Sequence, residues 1–127
     1  MRVLIQYFAI GAAGFVGAVA RAALGKACGR VFGTGFPYGT FIINISGSFI
    51  LGWFLAMTAG RHPVSDTTRM AIAVGFVGAY TTFSTLMYET NALADTGAGF
   101  LAILNLVGSI LVGLLAVRLG IVVGRIM

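Results

Sequence analysis

The sequence predicts an all-α membrane protein of four transmembrane helices, with a break in the third, and three observations carry that expectation. Of 127 residues, 59% are hydrophobic and 9% charged, whereas a soluble domain carries roughly 25% charged residues. The mean hydropathy is +1.03. The apolar residues gather into four stretches, each long enough for the about 20 residues that one helical crossing needs. Four crossings consume about 80 residues, so residues 1–127 read as a single four-helix transmembrane domain with no room for an extramembrane one.

The first helix is expected from Val3 to Leu24, the second from Gly39 to Ala59, the third from Met70 to Ala94 and the fourth from Gly97 to Ile126. Short segments with the charges and turn formers separate them. The first connection holds Lys26, Arg30 and Pro37; the second holds Arg61, His62, Pro63 and Asp66; the third, around Asp95 to Gly97, is a turn. Arg2 before an apolar run ending in Ala18, Val19 and Ala20 resembles a cleavable signal peptide. The uncleaved reading is preferred, because cleavage would leave three spans.

Composition removes whole classes of function. With 19 glycines and two prolines set in apolar runs without a triplet period, the chain is neither collagen nor a solvated disordered polymer. A single cysteine, Cys28, and a single histidine, His62, leave no metal cluster or nucleophilic pair. No catalytic residue is assigned, and the chain is read as not an enzyme. A net charge of +5 would suggest nucleic acid in a soluble protein. Here the basic residues stand singly at the ends of apolar runs, as anchors at a lipid interface, and nucleic acid is not a partner.

Orientation is set by Lys and Arg bias between the two sides. One side would carry Arg2, Arg61, Arg69 and Arg125, the other Arg21, Lys26 and Arg30, with Arg118 inside the fourth span. That near-balance permits insertion both ways and makes an antiparallel homodimer possible; a single orientation stays open. Small residues at helical spacing allow close helix approach within or between chains. They are Gly11, Gly14 and Gly17, then Ser48 and Gly52, then Gly120 and Gly124.

Polar groups in hydrocarbon cost free energy unless they are paired or face a cavity. Thr40, Asn44 and Ser48 fall at i, i+4 and i+8 along one side of the second helix, and Asn105 and Ser109 repeat the spacing in the fourth. Both stripes offer donors without fixed charge, which suits a small, strongly hydrated anion; interhelical hydrogen bonding is the plainer reading. In the third span, glycines Gly75 and Gly78 precede the hydroxyl run Thr81, Thr82, Ser84 and Thr85. Such a run can unwind and free carbonyls suited to sodium, or its hydroxyls can bond back to the preceding turn of a continuous helix. Glu89 reads as an interfacial cap for a neighbouring arginine or as an ion carrier. Arg21 and Arg118 read as snorkelling residues.

Three blocks carry a resemblance: Gly14 to Arg21 (GFVGAVAR), Pro37 to Gly47 (PYGTFIINISG) and Gly75 to Thr85 (GFVGAYTTFST). Together they resemble the Fluc, or CrcB-type, fluoride channel family, and the likeness spans all four helices. The resemblance implies a multi-pass protein of the cell inner membrane: a dual-topology antiparallel homodimer that passively exports fluoride, with lipid around it. It also implies a structural sodium ion at the dimer centre, held by the carbonyls of Gly78 and Thr81. By position, Asn44 would donate to fluoride and Phe83 would offer its electropositive ring edge. Thr40, Thr82, Ser84, Asn105 and Ser109 complete the expected pathway, with Arg21 and Glu89 at its vestibule. Two positions depart from the family pattern, Leu86 and Asn105, where aromatic residues are usual. The competing readings are a proton-coupled exporter of cationic drugs, which would want an acid in the first span where only Gln6 and Arg21 are polar, and a noncatalytic assembly subunit.

Overall fold

The computed structural model describes residues 1–60 and 62–127; Arg61, one of the expected interface anchors, lies outside the described residues. Four helical segments are long and apolar enough to cross a membrane: Arg2–Phe32, Tyr38–Ala59, Asp66–Asp95 and Gly99–Ile126. Among the described residues there is no strand.

Helix α1 (Arg2–Phe32) continues two turns beyond its apolar run, carrying Lys26 and Arg30 with it. At about 1.5 Å per residue it exceeds a hydrocarbon core of about 30 Å, so its basic last turns extend beyond the core. It stops where Gly33 takes a φ of 78° and donates its amide to the Gly29 carbonyl. The left-handed conformation suits glycine, which has no Cβ to clash. Helix α2 (Tyr38–Ala59) follows.

The third span begins earlier than the apolar pattern suggested, at α3 (Asp66–Met70), because the Ser65 hydroxyl accepts from the Thr68 amide at 3.1 Å and caps it. The backbone then widens into a π-helix over Ala71–Val77 and returns to one α-turn, α4 (Gly78–Tyr80). Thr81 (φ −83°, ψ 159°) and Thr82 (φ −152°, ψ 118°) are extended, and α5 (Phe83–Asp95) starts directly after them. Gly78 itself is helical, with φ −62° and ψ −37°, so the extended pair starts three residues beyond it. Helix α6 (Gly99–Ile126) closes the chain.

Lipid supplies no hydrophobic drive between helices, so association depends on close packing and hydrogen bonds. Helices α2 and α6 run parallel and touch backbone to backbone. A Cβ on Gly120 would strike the Phe49 carbonyl, one on Gly124 the Trp53 carbonyl, and one on Gly52 the Val117 carbonyl. In the same way α1 packs on the π-helix, with Gly17 against the Phe76 carbonyl. The first-helix glycine series therefore divides: Gly17 is consumed within the chain, while Gly11 meets nothing within 4 Å. Only 6% of the most apolar window of α1 is buried, against 22% to 28% in the other spans. The first span is thus the least covered by its own chain.

Candidate functional site

Two cavities flank the extended pair Thr81–Thr82. The wider, of about 860 Å³, opens where α1 ends and α2 begins; Arg21, Lys26, Thr40, Thr85 and Glu89 line it. The narrower, of about 260 Å³, lies between Asn44 and Ser48 of α2, Thr81 and Phe83 of the third span, and Ser109 of α6. Thr82 lines both.

Asn44 governs this junction. Its Nδ2 donates to the Thr82 carbonyl at 3.0 Å, and its Oδ1 accepts from the Thr82 amide at 2.8 Å. One side-chain amide thus replaces both backbone partners that an extended residue loses inside a helix, and the two bonds fix which way the amide faces. The second hydrogen of Nδ2 is left for the cavity that Asn44 lines.

The last carbonyls of the preceding helix lose their ordinary helical donors here, those of Gly78 and Thr81 among them. In a continuous helix the Thr82 amide would close onto the Gly78 carbonyl, yet it goes to Asn44. The Thr85 amide would close onto the Thr81 carbonyl, yet it donates to the Thr82 hydroxyl at 3.3 Å, the N-cap of α5. These are the two residues expected to hold sodium, and freed carbonyls are the donor chemistry of such sites. The residues present therefore fit a hard cation. The Thr81 hydroxyl, by contrast, bonds back to the Val77 carbonyl at 3.0 Å, as a hydroxyl in a helix does.

The other expected residues fall into distinct places. Thr40, buried, donates to the Glu89 carboxylate at 2.9 Å; the partner of Glu89 is this threonine and not the arginine that the sequence suggested. Its other oxygen, Oε2, is buried without a partner among the described residues. Ser109 is buried too, and its Oγ, without a partner among the described residues, lines the narrower cavity. Ser48 spends its hydroxyl on the Asn44 carbonyl at 2.7 Å. Phe83 lines the narrower cavity but stays 73% exposed, which leaves most of its ring for a partner or lipid. Ser84 is exposed and lines neither cavity; its one polar neighbour is the Thr82 hydroxyl at 3.5 Å. Asn105 is fully buried, and its amide donates to Thr90 at 2.9 Å. It ties α6 to α5 and faces neither cavity. Leu86, at a usually aromatic position, is buried and closes one wall of the narrower cavity.

Sequence reasoning passed over Tyr80, Ser46 and Thr90. Ser46 lies two residues after Asn44 and off the i, i+4 stripe, so helical periodicity alone hid it. Thr90 could be found only from its buried partner on another span.

A multi-pass α-helical membrane protein results, in which uncharged polar residues from three spans line the smaller cavity and Arg21, Lys26 and Glu89 line the larger one. The chain belongs to the CrcB-like protein, Camphor Resistance (CrcB) family, whose model matches residues 8–121. A relative in Acidobacterium capsulatum, named fluoride-specific ion channel FluC, is 43% identical over 121 residues, covering 95% of this chain and 97% of its own. One of the same name in Magnetococcus marinus is 42% identical over 122 residues, covering 96% of this chain and 98% of its own. The Moorella thermoacetica protein named fluoride-specific ion channel FluC 2 is 47% identical over 112 residues, covering 87% of this chain and 89% of its own.

Proposed function

We propose that the protein is a fluoride-selective channel, not an enzyme, which lets fluoride leave the cell passively across the inner membrane. The observation that carries this reading is the narrower cavity, lined by Asn44, Ser109 and Phe83, where Asn44 keeps one amide hydrogen that the Thr82 carbonyl does not take. Fluoride gives up tightly held water only to close donors, which neutral groups at a constriction can supply. Neutral amide and hydroxyl groups replace that water without trapping the ion. The basic Arg21 and Lys26 at the wider cavity concentrate anions at its mouth, and the names of the relatives support the same ion.

The working unit in this reading is an antiparallel dual-topology homodimer. The exposed face of α1 and the exposed Phe83 ring call for a partner, and the balanced basic residues allow opposite insertion. The interval at Thr81–Thr82 is then a mid-membrane break in the third span, and the Gly78 and Thr81 carbonyls of one copy are too few for a cation by themselves. A second copy about a twofold axis would double them, which supports a structural sodium at the centre.

Fluoride efflux from liposomes holding the purified protein, followed with a fluoride electrode beside a chloride control, tests the reading. Selective fluoride release is expected. Equal release of chloride, or none of either from a folded protein supplied with sodium, would overturn it.

A further inference from the structure

The last residue before the extended pair carries a polar group that packing does not require. Tyr80 is 7% exposed, and its ring stacks on Phe76 one turn earlier, with centroids 5.8 Å apart and planes 7° from parallel. Its edge rests on α2 where Gly47 leaves room: a Cβ there would come 3.2 Å from Tyr80 Cδ1 and would strike the Thr81 methyl. A phenylalanine would fill the same space. The hydroxyl is nevertheless buried against Ser46 Oγ at 2.9 Å.

The direction of that bond follows from the proton count. A serine hydroxyl has one hydrogen, and Ser46 gives it to the Ile43 carbonyl at 3.1 Å. Either hydroxyl can donate across this pair, and with the Ser46 hydrogen on Ile43 it is Tyr80 that donates. The relay from Tyr80 through Ser46 to the α2 backbone is polarised in one sense, which strengthens each bond in it.

Asn44 and Ser46 thus hold the third span at the second residue of its extended pair and at the residue just before it. Asn44 takes Thr82 by its backbone, and Ser46 takes the side chain of Tyr80. The Thr81 carbonyl lies between these two grips, and Gly78 lies two residues before the first of them. We propose that Tyr80 is a positioning residue: its hydroxyl, acting through Ser46, sets the orientation in which the Thr81 carbonyl meets a cation. The inference rests on the sodium reading above and adds the residue pair that tunes it.

The test uses the full-length protein with Tyr80→Phe, Ser46→Ala and both together, read in two ways: thermal unfolding against sodium concentration, and fluoride efflux from liposomes against the same series. Each single change should raise the half-saturating sodium concentration in both readouts by about threefold to tenfold, the worth of one neutral hydrogen bond. The double variant should go no further than the singles, and saturating sodium should restore wild-type flux. A half-saturating concentration unchanged in Tyr80→Phe, shifts that multiply in the double variant, or lost flux that sodium does not restore would each overturn the proposal while leaving the channel reading in place. A wild-type protein that conducts fluoride but gains no stability from sodium would overturn the sodium reading and this proposal together. Ser46→Ala reads the same bond without touching the Tyr80 ring, so a folding defect in one variant leaves the other informative.

Discussion

Helices α2 and α6 run side by side for their whole length, yet their two halves are built from different chemistry. Beyond Phe49, backbone lies on backbone, with Gly52, Gly120 and Gly124 at the crossing. Before it, α2 turns its polar groups to the third span: Thr40 to Glu89, Asn44 to Thr82, Ser46 to Tyr80. On α6 the matching half spends Asn105 on Thr90 and leaves the Ser109 hydroxyl free of a partner among the described residues. The glycine half fixes the distance between the two helices. The polar half can then hold a cavity open between them, since the helices cannot close over it without dismantling the crossing.

The largest effect is expected where that distance is set. Gly120→Val would drive a branched side chain into the Phe49 carbonyl and to within 2.8 Å of the Trp53 amide, at a cost of about 3 kcal/mol or more because neither is a movable side-chain tip. Thermal unfolding in detergent should show a drop in Tm of many degrees; a Tm near that of the wild type would remove the geometric half of the comparison. Next comes Asn44→Ala, which strands the Thr82 amide and carbonyl. It should cost about 2 kcal/mol and suppress fluoride efflux, while Asn44→Asp, which keeps only the acceptor, should lose less. Equal stability of the alanine and aspartate variants would mean that the clamp carries no weight.

Thr40→Val removes one hydrogen bond at the wider cavity, worth about 0.6 kcal/mol. Stability should barely move and fluoride flux should fall, so unaltered flux would place the pathway elsewhere. The smallest effect belongs to Gly11→Ala, where a methyl meets open space. The monomer fold should change by less than about 0.5 kcal/mol. A loss of dimer in crosslinking would sharpen the contrast with Gly17 by showing that the open glycine serves a second copy.

The four spans were legible because hydropathy and length are properties of consecutive residues. The polar stripe Thr40, Asn44, Ser48 was legible for a similar reason, as helical spacing puts those residues on one side. Their partners were not, since a bond such as Asn44 to Thr82 joins positions 38 apart and depends on how two spans cross. Asn44, expected to donate to fluoride, spends one of its two amide hydrogens on the Thr82 carbonyl. The early start of the third span was missed because a Ser65 cap in a polar segment outweighs the lack of apolar residues there. Neither apolar pattern nor glycine placement announced the π-helix at Ala71–Val77. It belongs with the tight seat of Gly75, where a Cβ would come 2.5 Å from the Ile10 carbonyl.

Trp53, the sole tryptophan of the chain, stands at the crossing of α2 and α6. Its carbonyl receives Gly124, and its indole N–H donates to the Met127 sulfur at 3.3 Å. Its emission is therefore an intrinsic optical gauge of whether those two helices are seated. The colour and quenching of that single fluorophore can be read in any detergent or lipid without a label, and each glycine variant can be scored by light before its transport is ever assayed.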